Sequence, residues 1–185
     1  MNIQPVVLAG RVVRLEPLAL RHLEALSAVG LDPELWRWTA SFVDSADKMR
    51  TYLETALREQ SEGRTLPFAT LDLASNTVVG STRFGNIDVV NRRVEIGWTW
   101  LAPQWQRTGI NTEAKYLMLT YAFESLSCIR VELKTDALNE QSRRAITRLG
   151  AKERNAAQPH DHLQRPRTRF GLFQYSCRRV ARGEG

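Results

Sequence analysis

The spacing of apolar residues predicts one strand followed by three helices in the first third of the chain. Residues 11–16 alternate polar and apolar side chains, as a half-buried strand does, and Pro17 closes that strand. Asp32 followed by Pro33 is typical of a helix start, and Asp44 or Ser45 is the expected cap of a longer helix. The helices that we expect cover residues 19–29, 31–38 and 44–63.

The rest of the chain predicts mainly strands, separated by two helices. The first two strands form a hairpin that turns at Asn76-Thr77, and in the fourth Ile129, Val131 and Leu133 are expected to face inward. One helix follows the third strand, and another starts at Asn139 and ends at Gly150. The expected strands cover residues 66–74, 78–84, 94–101, 129–135 and 168–176.

Residues 152–167 contain two prolines and few apolar side chains, and they are predicted to be a loop. The resulting order is one strand, helices, three strands, a helix, a strand, a helix and a closing strand. Such an order predicts an α/β (α+β) sandwich with a mixed sheet. A length of 185 residues is that of one domain, so we expect a single domain over residues 1–185.

The composition indicates an ordinary globular protein without a membrane-spanning segment. The chain is 43% hydrophobic and 25% charged, as in ordinary globular proteins, and no apolar run approaches the roughly 20 residues that span a bilayer. The N-terminus has no basic region typical of a secretory signal, so we expect a cytoplasmic location. Cys128 and Cys177 are too few for a disulfide framework and are expected to be reduced thiols.

The net charge of +6 is concentrated in the arginine-rich stretch from Arg143 to Arg182. This stretch allows two interpretations, a nucleic-acid partner or a multiply phosphorylated cofactor. No zinc spacing or aromatic RNA-binding signature accompanies the charge. The sequence His160-Asp161-His162 has no third spaced ligand, so we expect no metal site.

The stretch from Trp105 to Tyr121 carries the clearest candidate chemistry. A polar turn around Gly109 leads into helically spaced apolar residues, directly after the strand that ends before Pro103. Free N–H groups and the helix dipole make such a helix start an anion site, and a glycine lets a ligand approach the backbone. The other interpretation is a plain turn and helix cap.

The segment Gln106-Arg107-Thr108-Gly109-Ile110-Asn111 resembles the acyl-CoA pyrophosphate loop of the GNAT N-acetyltransferase superfamily. It departs from that pattern at Asn111, where a small residue is usual. The order of elements also resembles the GNAT fold over nearly the whole chain. Further motifs resemble the branch that acetylates the N-termini of ribosomal proteins, namely Arg14-Leu15-Glu16-Pro17-Leu18, Glu95-Ile96-Gly97-Trp98, Gly109-Ile110-Asn111-Thr112-Glu113-Ala114, Tyr121-Ala122-Phe123-Glu124 and Asn139-x-x-Ser142.

The resemblance implies a largely antiparallel mixed sheet that is flanked by helices and splayed at the acyl-CoA strand. It also implies acetyl-CoA as cofactor, with its phosphates at backbone N–H groups of residues 107–112 and its thioester carbonyl at a free N–H of Leu101 or a close neighbour. The residues implied to bind the cofactor are Trp100, Leu101, Gln106, Arg107, Thr108, Gly109, Ile110, Asn111, Thr112, Asn139, Ser142 and Arg143.

Direct transfer of the acetyl group to an amine needs a base and an acid. We expect Glu95 to be the base, directly or through water; the alternative is an exposed or ion-paired strand residue. Many relatives carry a tyrosine where this chain has Ile146, so Ser142 is the candidate that protonates or hydrogen-bonds the thiolate. Ser142 could equally be a helix-start residue, and Asn139 a simple cap.

The acceptor stays open between a protein N-terminus and a small molecule such as an antibiotic, because the branch contains both kinds of enzyme. A non-catalytic CoA-binding or RNA-binding module is the alternative from another class. The family resemblance allows a homodimer, which nothing in the sequence decides. Trp36 and Trp38 belong to the region that lines the acceptor cleft in relatives, and Tyr116 and Tyr121 are expected to pack in the core.

Overall fold

The structure, a computed structural model, describes residues 1–154 and 170–176. The described strands form one sheet in the order β1-β2-β3-β4-β5-β6-β8-β7, and each neighbouring pair is antiparallel except β5 and β6. The strands are β1 Leu8–Ala9, β2 Val13–Pro17, β3 Leu66–Asp72, β4 Thr77–Asp88, β5 Arg93–Leu101, β6 Arg130–Asp136, β7 Lys152–Arg154 and β8 Phe170–Ser176.

The described helices begin and end largely where the sequence predicts. The Asp32 side chain accepts a hydrogen bond from the Glu34 N–H, the Ser45 side chain caps α2, and Gly150, at φ +89°, follows the end of α4. The α-helices are α1 Leu23–Gly30, α2 Ala46–Ser61, α3 Gly109–Thr120 and α4 Glu140–Arg148. Short 3₁₀ turns cover Leu20–His22, Pro33–Trp36 and Pro103–Trp105, and a π-helical turn, Tyr121–Ser125, extends α3.

Helices cover both faces of the sheet. Phe68 and Ala69 are neighbours on β3 yet belong to different core clusters, because successive strand side chains point to opposite faces. The first cluster packs α3 against the sheet through Met118, and the second packs α1 and α2 through Leu26 and Leu53. The predicted fold class, a mixed and largely antiparallel sheet flanked by helices, is confirmed.

The structure corrects several local expectations. Residues 152–154 are not loop but form strand β7, which pairs with β8. Ile129 precedes β6 and is 51% exposed, whereas the polar Glu132 is buried between neighbouring strands. Tyr116 lies on the solvent face of α3 and is 65% exposed, so its expected place in the core is wrong. Tyr121 does pack against the core, beside Phe84.

Some features singled out from the sequence lie outside the described residues: His160-Asp161-His162, Cys177, and the part of the arginine-rich stretch within residues 155–169 and 177–182. Among the described helices, none is both long and apolar enough to cross a membrane.

Candidate active site

A cleft opens in the middle of the sheet where the two parallel strands separate. Strands β5 and β6 are paired only at Arg93, Val94 and Glu95, opposite residues 130–132, although β5 continues to Leu101 and β6 to Asp136. Strand β5 stays paired with β4 beyond this point, and β6 with β8. The last residues of β5 therefore present one backbone edge to the cleft and not to a neighbouring strand.

A bulge in β5 redirects the strand as it enters the cleft. Trp98 has a φ of +50°, and the register with β4 shifts between Ser81 and Arg83, opposite Trp98 and Thr99. Backbone torsions of this kind are costly for a residue with a side chain and are frequent at functional sites.

The backbone of Leu101 points into the cleft. Leu101 lies opposite Gly80, and the next residue, Ala102, donates its N–H to the Val79 carbonyl at 2.9 Å. Residues of an antiparallel ladder alternate between bonding the partner strand and pointing away, so the N–H and C=O of Leu101 face away from β4. The Leu101 carbonyl accepts the Gln106 side-chain amide on that side, at 3.0 Å. The Leu101 N–H is therefore directed into the cleft between β5 and β6.

Trp100 is oriented differently from Leu101. Its side chain is buried in the second core cluster against Trp36, with ring centroids 5.3 Å apart, and its backbone lies opposite Ser81. By the same alternation its N–H faces β4. Of these two neighbouring residues, Leu101 is the one whose backbone N–H faces the cleft.

Gln106 connects the two sides of the cleft mouth. Its Nε2 donates to the Leu101 carbonyl at the end of β5, and its Oε1 lies 3.3 Å from Gln141 Nε2 on α4. The turn before α3 and the start of α4 therefore lie together at the mouth of the cleft.

The turn at residues 106–109 presents the start of α3. Arg107 is exposed with a φ of +61°, and Thr108 caps the helix by accepting the Ile110 N–H at 3.4 Å while donating to the Trp105 carbonyl at 2.7 Å. The first-turn N–H groups that follow have no carbonyl within the helix to bind. With the helix dipole, they make the start of α3 an anion site.

Two observations test whether this turn fits a phosphorylated cofactor. A Cβ added to Gly109 would meet only Val12 Cγ2, at 3.8 Å, so the protein's own packing does not require glycine and the space above the backbone is open. Asn111 Oδ1 is buried without a hydrogen-bond partner among the described residues. The open backbone at Gly109 and the free N–H groups of the first helical turn suit a pyrophosphate, so the residues fit acetyl-CoA. Asn111 Oδ1 is an acceptor and adds nothing to this fit; it is the Asn111 amide N–H groups that can donate to phosphate oxygens.

Glu95 lies where the strands separate. It is 7% exposed, and its Oε2 accepts hydrogen bonds from Asn86 Nδ2 at 2.7 Å and Lys134 Nζ at 2.6 Å. Its Oε1 lies beside Gly97, where a Cβ would come within 3.2 Å. Glu95 is therefore ion-paired through Oε2, as the alternative interpretation expected. Its Oε1 lies near Gly97, on the part of β5 that leads into the cleft.

The residues at the start of α4 are held by the protein itself. Asn139 Oδ1 caps the helix by accepting the Ser142 N–H at 3.0 Å, and the Arg143 guanidinium binds the Ala137 carbonyl and both oxygens of Glu153. Within residues 1–154 and 170–176, the Asn139 amide N–H groups and the hydroxyl of the half-buried Ser142 have no hydrogen-bond partner. A phosphate role for Arg143 would require it to exchange Glu153 for the phosphate.

Lys115 lies beside the β5 bulge, and the sequence analysis did not identify it as a candidate site residue. It is 5% exposed, and its Nζ donates to Thr82 Oγ1 at 3.1 Å and to Thr99 Oγ1. Burial lowers the pKa of the Lys115 ammonium to about 7. Lysine is usually exposed, and its two partners lie on β4 and β5, far from α3 in the sequence. No local pattern in the sequence therefore indicated this arrangement.

Comparisons with known proteins agree with this geometry. The sequence model of the acetyltransferase (GNAT) domain matches residues 13–152. The chain is 34% identical over 128 residues to "Putative ribosomal N-acetyltransferase YdaF" of Bacillus subtilis (strain 168), with 66% of each chain covered. A GCN5-related N-acetyltransferase from Brucella melitensis is 28% identical, with a TM-score of 0.83 over 94% of this chain and 80% of that one.

The ribosomal L7/L12 alpha-N-protein acetyltransferase RimL, solved in complex with coenzyme A, shares the fold alone, at 16% identity and a TM-score of 0.79 over 92% of this chain and 98% of that one. The domain match covers most of the chain, and the splayed strands and the start of α3 lie within it. The chain belongs to the GNAT acetyltransferase family and transfers an acetyl group from acetyl-CoA to an amine.

Proposed function

We propose that the acceptor is the N-terminal amine of a protein. The observation that carries this proposal is the 34% identity to a relative named as a ribosomal N-acetyltransferase. The proposed reaction acetylates the α-amine of a ribosomal protein or of a peptide that resembles its N-terminus.

For the donor half of the reaction, we propose that backbone N–H groups of residues 107–112 bind the phosphates of acetyl-CoA. Arg107, Asn111 and Asn139 add side-chain donors along the cofactor, while Trp100 supports the strand from the core side. The Leu101 N–H donates to the thioester carbonyl oxygen and stabilises the negative charge that develops there. Acetyl-CoA supplies the activated acetyl group, and the chain orients it.

For the proton transfers, we propose that Glu95 Oε1 accepts a proton from the attacking ammonium, directly or through water. Lys134 and Asn86 hold the other oxygen, so the carboxylate is fixed in direction. Ser142, at the start of α4, donates a hydrogen bond or proton to the departing thiolate. Direct transfer is supported by Cys128, which is buried and whose thiol has a pKa raised by burial.

A peptide screen tests the acceptor. Peptides matching ribosomal-protein N-termini, the same peptides with a blocked α-amine, and a panel of small amines including aminoglycosides would be assayed for release of free CoA thiol. We expect turnover only with free α-amine peptides. Turnover with small amines and none with peptides would replace this proposal by small-molecule acetylation.

We further propose that residues 1–185 form one domain that works in the cytoplasm. All eight described strands share one sheet, and a buried free thiol suits a reducing compartment. A homodimer stays a prediction from the family resemblance, and sedimentation velocity with and without acetyl-CoA would measure it.

A further inference from the structure

Lys115 is a buried lysine that no step described above uses. It projects from α3 into the space between that helix and the sheet, and no carboxylate pairs with it among the described residues. Burying an amine in this way is costly unless its hydrogen bonds are satisfied. Both of its partners, Thr82 and Thr99, lie at the β5 bulge.

The two threonines hold the bulge from both strands. Thr82 lies on β4 between Ser81 and Arg83, where the register shifts, and Thr99 follows Trp98 on β5. Their hydroxyls are 2.8 Å apart, and each lies near the Gly97 carbonyl, at 3.5 Å and 3.4 Å. Lys115 adds donors to this pair, so one side chain ties α3 to β4 and to β5 at the point where β5 changes direction.

We infer that Lys115 is a positioning residue, which fixes the bulge through Thr82 and Thr99 and so directs the Leu101 N–H at the acetyl carbonyl. The inference rests on the proposed role of Leu101. Helix α3 also carries the phosphate turn at its start, about two turns before Lys115. The lysine therefore links the element that binds the phosphates to the strand that receives the acetyl group.

The protonation state of Lys115 is set by burial and not by a neighbouring charge. The charged groups on α3 and on the strands nearby are engaged elsewhere, and Tyr121 packs against Phe84. Because burial lowers the pKa of Lys115 to about 7, the amine is neutral above neutral pH and becomes an uncompensated buried cation below it. The engaged pairs are Glu113 with the N–H groups of residues 11–13, Arg14 with Glu16, Arg83 with Glu59 and Glu95 with Lys134.

Binding of two ligands that differ only in the acetyl group tests this inference. Calorimetric titrations with acetyl-CoA and with CoA would be run at pH 6 and pH 8 on the wild-type protein and on Lys115→Met, which keeps the buried volume and removes the donors. We expect the preference for acetyl-CoA over CoA to fall about threefold to tenfold in the variant, as when one hydrogen bond loses its geometry. CoA affinity should stay near the wild-type value.

The pH dependence separates positioning from packing. In the wild type the acetyl preference should differ between pH 6 and pH 8, because the buried amine that donates to Thr82 and Thr99 changes its protonation state in that range, and in Lys115→Met it should be flat. Thr99→Val should reproduce the loss, whereas Leu117→Met, a volume-conserving change at a half-buried position of the same helix, should not.

Two outcomes would overturn the inference in distinguishable ways. An acetyl preference that is unchanged in Lys115→Met would mean that the side chain only fills space. A wild-type protein that binds acetyl-CoA and CoA equally at both pH values would remove the proposed carbonyl site at Leu101, and the inference with it.

Discussion

Glu95 and Glu132 are neighbouring buried carboxylates with different surroundings. They lie opposite each other at the last paired position of β5 and β6. Glu132 accepts a hydrogen bond from Arg93, forms an ion pair with Arg130 and lies beside Gln174. Glu95 is bonded through one oxygen and has the other beside Gly97. The chain thus offers a matched pair for testing the base.

Replacing Glu95 with Gln should lower kcat/KM about 10²-fold to 10⁴-fold with an identified peptide acceptor, because the amide keeps the shape but accepts no proton. Glu132→Gln removes a carboxylate of similar burial and should keep most of the activity. Steady-state kinetics of both variants would measure this. Equal losses in the two variants would mean that Glu95 matters only for the sheet.

Residues differ in how far the sequence could assign them. Gly109 and Asn139 lie where local motifs predicted them, at the starts of α3 and α4, because capping depends on neighbours in the chain. The ion pair of Glu95 with Lys134 and the burial of Lys115 join residues from separate elements. Such contacts depend on the strand register, which single-sequence patterns do not contain.

At the scale of elements, Glu113 fastens α3 to the first strands. Its two carboxylate oxygens accept the backbone N–H groups of Arg11, Val12 and Val13 at 2.7–3.0 Å. Partial desolvation of the carboxyl opposes its ionisation, but these three bonds and the charge of Arg11 outweigh it, and the pKa of Glu113 is lowered. The helix that begins with the phosphate turn is thereby held against β2.

Glu113→Gln should destabilise the protein by roughly 1–3 kcal/mol at pH 7, because charge-assisted hydrogen bonds are replaced by weaker ones. A lowered carboxyl pKa contributes stability that is fully present above the ordinary glutamate pKa and is lost as pH falls through the lowered value. The difference from wild type should therefore shrink in acid. Urea unfolding from pH 3 to pH 7 would measure it.

The exposed Glu124 near the end of α3 provides the control. Glu124→Gln should leave the free energy of unfolding within about 0.5 kcal/mol of wild type. If Glu113→Gln were equally neutral at pH 7, the three backbone bonds would not be what fastens α3.

Elements with a strong local pattern were predictable, and the others were not. Helix α2 has its cap at Ser45 and its buried face at Met49, Leu53 and Ala56, each readable from spacing. Strand β7 consists of three polar residues, Lys152, Glu153 and Arg154. It forms because its backbone pairs with the edge of β8. The splay after Glu95 is likewise a property of strand pairing, and it entered the expectations only through the family resemblance.

At the scale of the whole molecule, Lys115 should make stability depend on pH. Its folded pKa of about 7 lies below the ordinary lysine value, so the unfolded chain binds more protons between about pH 7 and pH 10. Stability from this group should therefore rise with pH in that window, by at most about 1.4 kcal/mol per pH unit. Below pH 7 both states carry the proton and this dependence ends.

Lys115→Met should consequently be more stable than wild type at pH 7, and its advantage should diminish toward pH 10. Chemical unfolding of both proteins at three pH values would measure the difference. A difference that does not change with pH would mean that the buried lysine keeps its ordinary pKa in the folded protein.

The central claim is that the phosphates of acetyl-CoA bind at the start of α3. It is tested most directly by calorimetric titration of acetyl-CoA into the wild-type protein, Gly109→Ala and Gly109→Glu. A Cβ at Gly109 meets only Val12 at 3.8 Å, so both variants should fold, which circular dichroism and the Tm would check. We predict binding by the wild type, weaker binding by the alanine variant and at least about tenfold weaker binding by the glutamate variant, which adds a negative charge at the anion site. Affinities equal to wild type in both variants would contradict the claim and place the cofactor elsewhere on the chain.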